Sequence, residues 1–348
     1  MRAILTTVGT SLLSNARRVN KETNPNETEL IHYLNSTEPA KASAETNSLS
    51  RLLQESDKVV LLHSQTEEGR LCGDILSKFY RSQGFQAETV EIRDLCYTES
   101  QFKVRGLRSL VTALVEQIQE NRKKGYTVII NATGGFKAET AYATLVGLLF
   151  DVKVYYIYEA IQEIVEMPPI PLDWDYSLFA EHESLFEWLA GDYRAKKETG
   201  PRTKDLPLKA RVLIEEEEGL VTLSAVGIAL LEAYREFKAE AKGVRVLLSS
   251  RARQTYGDAD PTTRALYDSM LEKLSKGLWR YAAEWVGDSG MMVWPRGSKR
   301  ERAIFYENES GSILVCELAL HGGSYEKLMD RKPKRNEYRD FEPWQEGM

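Results

Sequence analysis

Three features of the sequence predict an α/β domain built on a doubly wound parallel sheet, followed by a small helical module and an α+β domain with an antiparallel sheet. Apolar runs such as Val59-Val-Leu-Leu62 and Thr127-Val-Ile-Ile130 are continuous rather than alternating, as strands covered on both faces require. Segments of helical period separate these runs, which is the rhythm of βαβ units. Beyond residue 290 the pattern changes to short strands divided by turn residues. The domains predicted are 1–166, 167–242 and 243–348.

In order, the first part reads as a strand near 3–8, a helix near 44–55, a strand at 58–63, a helix at 67–82 and a strand at 87–92. A helix around 104–123, a strand at 126–131, a helix at 137–148 and a strand at 152–158 complete it. Arg18 to Ala40, rich in Asn, Thr and Glu, reads as a long insertion that borders a ligand crevice or forms a surface loop. Glu166-Met-Pro-Pro-Ile-Pro171 marks the boundary, because proline removes backbone donors. An aromatic helix at 177–190, an exposed linker at 194–205, a helix-like stretch at 208–215 and an extended one at 220–223 follow. Ser224 caps a helix at 225–241, and since Ala225–Tyr234 holds no Lys or Arg, that helix reads as a spacer rather than a DNA reader. The last domain begins with a strand at 244–249. Asp260-Pro261 opens a helix that places Leu266, Met270, Leu271 and Leu274 on one face. A second helix is predicted at 278–286, then strands at 291–294, 303–306 and 312–320, and a final strand at 336–341.

A chain of 348 residues with 42% hydrophobic content exceeds one core. No apolar stretch approaches the roughly 18 residues of a membrane span, and no secretory pattern opens the chain, so a cytoplasmic protein is expected. Cys72, Cys96 and Cys316 are widely spaced without a CxxC pair, which reads as free thiols and argues against a disulfide framework or zinc site. The net charge of −6 is uneven: residues 1–242 carry 29 basic and 36 acidic groups, the remainder 17 and 16. Late basic groups cluster at Arg296, Lys299, Arg300 and Arg302, and again from Lys327 to Arg339, as an anionic polymer or a solvated face would require.

Two loops carry the strongest chemical signal. Val128-Ile-Ile-Asn131-Ala-Thr133-Gly134-Gly135-Phe136-Lys137 is a strand emptying into a Gly-Gly turn and a helix, which presents free N–H groups at a positive helix end to phosphates. Ala3–Val8 runs into Gly9-Thr10-Ser11, and in an open α/β sheet loops at the carboxyl ends of two strands can share one crevice. This pair of turns resembles the CARF domains of type III CRISPR ancillary effectors, over roughly residues 1–165. The resemblance implies a Rossmann-like domain that forms a homodimer and binds a cyclic oligoadenylate, with cyclic tetra-adenylate expected. Carried onto this chain, the ligand residues are Gly9, Thr10, Ser11, Thr133, Gly134, Gly135, Phe136 and Lys137. Residues 206–242 resemble the winged-helix-like connector that often follows such domains.

Residues 243–342 resemble the RelE family of small toxin ribonucleases. Arg302-Ala-Ile-Phe-Tyr306 matches its arginine strand, Gly311–Leu320 its next strand, and Lys334-Arg335-Asn-Glu-Tyr338 its closing basic-plus-tyrosine strand. The resemblance implies a metal-independent endoribonuclease, without cofactor, that cleaves messenger RNA on the ribosome through the RNA's own 2′-hydroxyl. Arg302 would neutralise the pentavalent phosphate, Lys334 and Arg335 would assist, and Tyr338 would transfer a proton or stack on a base. The usual basic pair of the preceding strand falls on Val293 and Pro295, so Arg296, Lys299 or Arg300 would substitute; residues 322–332 form an insertion. Ring binding at the sensor would reposition the ribonuclease domains. Other classes remain as alternatives: a ligand-responsive transcription regulator acting through residues 206–242, or a sensor that itself cuts its ring. A paired-histidine ribonuclease is excluded because His321 is the sole histidine of the last domain, and a metal nuclease lacks the Glu-x-Lys strand, since Glu317 is followed by Leu-Ala.

Overall fold

The computed structural model describes residues 1–20, 24–96, 105–158, 163–170, 174–204, 206–295 and 299–345. Arg296, Pro171, Asp205 and the start of the helix expected at 104 lie outside them. The chain divides into two units, Met1–Leu172 with Arg211–Ala233, and Asp173–Ala210 with Tyr234–Met348. The segment 167–242, read from the sequence as a separate spacer, is thus shared between them.

The first unit contains β1 (Arg2–Val8), α1 (Ser11–Asn20), α2 (Glu27–Ser36), α3 (Pro39–Ala42), α4 (Ala44–Leu52), β2 (Lys58–Ser64), α5 (Glu67–Ser82) and β3 (Gln86–Ile92). It continues through α6 (Leu107–Lys123), β4 (Thr127–Asn131), α7 (Lys137–Leu149), β5 (Lys153–Tyr158) and β6 (Glu163–Met167). The sheet order is β3-β2-β1-β4-β5-β6, parallel except for β6. Ile4, Val59, Leu61 and Ile129 face a core shared with Leu12, Leu30, Leu49 and Ile75, from helices α1, α2, α4 and α5. Leu5, Val60, Leu62 and Ile130, equally buried, alternate with them and face the opposite way, which leaves each strand apolar on both sides. The expected doubly wound sheet is present, with one antiparallel edge strand added.

The stretch expected to be an insertion or loop forms α2 and α3. Asn26 and Glu29 make a reciprocal capping box, and Leu30, Tyr33 and Leu34 provide the buried stripe. A hairpin of β8 (Ile214–Glu217) with β9 (Leu220–Leu223) also belongs to this unit.

The second unit holds α8 (Ser177–Glu181), α9 (Glu183–Gly191), β7 (Arg194–Ala195) and α10 (Lys196–Thr203). A long helix, α11 (Ala225–Glu240), begins in the first unit's segment and ends in the second's. The predicted linker at 194–205 is therefore largely helical, and the guanidinium groups of Arg194 and Arg202 lie 5.0 and 4.3 Å from the Trp188 ring. Then come β10 (Val246–Leu248), α12 (Ser250–Gly257), α13 (Pro261–Ser275), β11 (Glu284–Trp285), β12 (Met292–Trp294), β13 (Glu301–Glu307), β14 (Ile313–Leu320), α14 (Ser324–Asp330) and β15 (Glu342–Pro343). The sheet order is β11-β12-β13-β14-β10-β15.

Three expectations for this unit change. The sheet is mixed, because β10 runs parallel to β14. Residues 278–286 form turns and then β11, since Gly277 takes a positive φ of 73° and Trp279 docks edge-on to Phe305 at 5.0 Å. The helix paired with α13 is instead α12, capped by Ser249, whose Oγ accepts from the Ala252 N–H at 3.1 Å. The closing strand at 336–341 is replaced by a 3₁₀ turn over Arg335–Glu337 and by β15, because Tyr338 turns inward to join Ile304 and Cys316 in the core.

Candidate functional site

β1 and β4 are adjacent and parallel, with Thr6 opposite Asn131, so the loops that leave them emerge side by side. Strand order reverses here: β2 and β3 lie to one side of β1, β4 and β5 to the other. That is the switch point at which open α/β sheets hold ligands. The loops are locked together. Thr7 Oγ1 donates to the Gly134 carbonyl at 2.6 Å, and a Cβ on Gly9 would stand 2.8 Å from the Gly135 nitrogen. A Cβ on Gly134 would stand 2.4 Å from the Thr7 carbonyl oxygen, and Gly135 adopts φ of +90°. Each glycine therefore answers a close approach or a left-handed backbone, not merely a turn.

Beneath the loops lies Glu45, in the first turn of α4 and fully buried. Its Oε1 accepts from the Gly9 N–H at 2.8 Å and its Oε2 from Ser11 Oγ at 3.2 Å, while Ser11 Oγ accepts from the Ala44 N–H at 3.0 Å. Burial raises the Glu45 pKa against the lowering effect of these hydrogen bonds. Thr133 is held similarly, its Oγ1 donating to Asn131 Oδ1 at 2.8 Å and accepting from the Ile157 N–H at 3.1 Å.

A cleft of about 510 Å³ opens above this floor. Seven of the predicted ligand residues line it: Gly9, Thr10, Ser11, Thr133, Gly134, Gly135 and Phe136. Lys137 does not; it is exposed at the first position of α7. Four helices start at the cleft, at Ser11 for α1, Ala44 for α4, the cap Thr66 for α5 and the cap Phe136 for α7. Their positive ends and the hydroxyls between them give the cleft a potential that favours anions, with no cationic side chain among the described residues of its lining. Exposed Phe136 adds an aromatic surface. Ser14, Asn15, Ala44, Thr66 and Glu68 complete the lining and escaped the sequence reading, because they come from three helix starts far apart in the chain. The one local signal was Thr66-Glu-Glu, a capping pattern. Glu68, the acidic group of the lining, is paired with Arg17 at 2.8 Å.

In the second unit the predicted catalytic residues separate. Arg302 is buried at 5% exposure, its Nη1 donating to the carbonyls of Lys299 and Glu301, and its guanidinium lies 5.7 Å from the Tyr325 ring. Tyr338 is also buried; its hydroxyl accepts from Arg331 at 3.1 Å, and burial together with the Glu317 charge raises its pKa. Glu317 in turn receives Arg331 at 3.1 Å and Arg251 at 3.4 Å. Lys334 and Arg335 are exposed and line a cleft of about 690 Å³, whereas Arg300 is exposed away from its lining. Cys72 and Cys316 are buried thiols pushed up to about 12, as small core hydrophobes would be. Among the described residues no three His, Cys, Asp or Glu side chains cluster for a metal, and no helix is long and apolar enough to cross a membrane.

Fold and cleft together define an α/β unit with a doubly wound, mostly parallel sheet and a cleft at its switch point. Residues 40–170 match the family model described as CRISPR-associated protein (Cas_APE2256), a span that includes Glu45 and the Gly134-Gly135 loop but begins after Ser11. The chain is also similar to the crystal structure of protein VC1899 from Vibrio cholerae, at 12% identity over 70% of each chain, with a TM-score of 0.29. A second similar structure is Can2 from Sulfobacillus thermosulfidooxidans in complex with cyclic tetra-adenylate, at 11% identity over 92% of this chain and 76% of that one, with a TM-score of 0.26. Both likenesses are slight, and the functional reading rests on the family match and the cleft.

Because Glu45 has a raised folded-state pKa, its contribution to stability is present below the unfolded carboxyl value of about 4.3 and is lost as pH rises through the folded value. Glu45→Gln keeps the shape, with the amide facing Ser11, and does not titrate. The melting temperature of the wild type relative to this variant is expected to be highest at low pH and to decline toward pH 8; a difference independent of pH would show that Glu45 does not titrate in the folded range.

Arg302→Ala should cost about 2 kcal/mol, the scale of charged hydrogen bonds to carbonyls that are then left unpaired. Lys334→Ala, at an exposed position, should change stability by less than about 0.5 kcal/mol. Urea unfolding of the two variants checks the contrast.

Proposed function

We propose that the first unit senses a cyclic oligoadenylate, with cyclic tetra-adenylate the expected ring bound across a homodimer, and that the second unit is a ribonuclease switched on by it within CRISPR antiviral defence. The observation that carries this reading is the meeting of two glycine loops and four helix N-termini in one cleft at the sheet's switch point. A ring of 3′,5′-linked adenosines offers phosphates to the loop amides and bases to Phe136, and its several negative charges suit a site built from dipoles. The family match over residues 40–170 supports a CRISPR setting for the same unit.

For the second unit, the chemistry needs the RNA, fixed cations and a carrier for each proton. The 2′-oxygen attacks its neighbouring phosphorus and gives its proton to water, the bond to the 5′-oxygen breaks, and that oxygen takes a proton from water, leaving 2′,3′-cyclic phosphate and 5′-hydroxyl ends. The exposure of Lys334 and Arg335 in one cleft supports Lys334 as a cation that meets the charge developing on the phosphate, with Arg335 holding the RNA beside it. Arg302 and Tyr338, tied to backbone carbonyls and to Arg331, are positioning residues that hold the β13 strand and the chain after α14 rather than groups that touch RNA.

Calorimetric titration with cyclic tetra- and hexa-adenylate should give one ring per two chains, and the ring should raise the melting temperature, by about 2.7 kcal/mol of linkage at a hundredfold excess over Kd. Messenger RNA, free or on ribosomes, should be cut only when the ring is present, with cyclic phosphate ends, and equally in EDTA. Absence of ring binding would remove the sensor reading. Cutting abolished by EDTA would remove the metal-independent one, and promoter binding without cutting would favour a transcription regulator.

A further inference from the structure

The cleft of the second unit is more than a patch of charge. It lies between the β11–β12 turn and the segment that follows α14, with Val286 and Met329 as apolar lining and Asp288 as its acid. Lys332, Lys334 and Arg335 line it, and among the described residues none of the three makes an ion pair. Nearby basic groups are paired: Arg251 and Arg331 with Glu317 and Glu337, and Arg253 with Glu342. Cations left without an acidic partner around a concave surface favour an anionic occupant.

Arg335 narrows the choice of occupant. Its guanidinium carbon lies 3.7 Å from the centroid of the Tyr306 ring, a separation that requires a face-on approach. Tyr306 is itself braced edge-on by Phe341 at 6.1 Å, and both pack against the core that holds Ile304 and Tyr338. One face of a planar cation is therefore covered by a fixed ring, while Arg335 remains exposed to the cleft. A guanidinium plane held flat is a stacking surface for a nucleobase, and bases are free to stack in this way only in single strands.

We infer that this cleft binds single-stranded RNA, with one base stacked on the outer face of Arg335 and the flanking phosphates on Lys332 and Lys334. The inference rests on the reading of the second unit as one that acts on RNA, and it moves the stacking role from Tyr338, which is buried, to the Arg335–Tyr306 pair. A stacked base on a platform of this kind is worth on the order of tenfold in affinity.

The test uses the full chain and a fluorescein-labelled RNA decamer, followed by anisotropy across a salt series. Arg335→Lys, which keeps the charge and loses the plane, should weaken binding roughly tenfold with the salt slope unchanged. A decamer of abasic sugars should bind the wild type about tenfold more weakly, with little further loss on Arg335→Lys. Lys334→Gln should lower the salt slope by about 0.7. Wild-type affinity in Arg335→Lys, equal binding of the abasic strand, or equal binding of duplex RNA or polyglutamate would overturn the proposal; the abasic comparison holds even if a variant fails to fold. Cutting assays on the same samples separate the two readings. Base-dependent binding without any cutting would defeat the ribonuclease and leave the platform, whereas cutting with Arg335→Lys indistinguishable in affinity would do the reverse.

Discussion

Gly9 and Gly135 approach so closely that a methyl group on the first would strike the backbone of the second, and they meet only because β1 and β4 pair in parallel at the point where strand order reverses. The rest of the first unit follows from that contact. With the loops in register, α1 and α7 begin at a shared opening, and the first residue of α4 and the cap of α5 complete its rim. The dipoles at such an opening have positions set by the sheet, so the potential they produce there is fixed by the fold.

A floor of this kind must satisfy its own polar groups, and Glu45 shows how. A buried carboxyl is costly unless hydrogen-bonded. Glu45 takes the Gly9 amide and the Ser11 hydroxyl, and Ser11 also accepts from Ala44, so one side chain ties the first loop to the start of α4. Thr133 does the same work for the second loop by linking Asn131 to the Ile157 amide. Hydroxyls that read as ligand contacts in the sequence thus hold the loops in place, and substitution of Ser11 or Thr133 would disturb the loops themselves.

The legible parts of the sequence were those whose physics is local. Strands buried on both faces leave continuous apolar runs, and glycine loops that precede helices leave a compact motif, so the doubly wound sheet and seven of the cleft residues could be read directly. What escaped was set by distant partners. The stripe Leu30, Tyr33 and Leu34 lies within a polar stretch and becomes helical by docking on a core that the rest of the unit provides. Glu45 carries no motif, and its role exists only because α4 ends up beneath Gly9. Residues 278–286 have helical composition, yet the chain turns at Gly277, whose positive φ ends the preceding helix, and Trp279 docks on Phe305.

The same distinction decides how the basic residues of the second unit divide. Sequence ranks Arg302 first because it sits on a strand that resembles a catalytic one, and in the fold that residue is buried with its guanidinium on the Lys299 and Glu301 carbonyls, an exchange of hydration for fixed partners. Lys332, Lys334 and Arg335 make no ion pair among the described residues, and their surroundings are concave. An ion pair such as Arg331 with Glu317 lowers the potential a passing polyanion would feel, whereas an unpaired cation retains it. Arg302 and Tyr338 thus lie inside the fold, tied to partners around β13, while Arg335 lies against the Tyr306 ring at 3.7 Å and stays exposed toward the cleft.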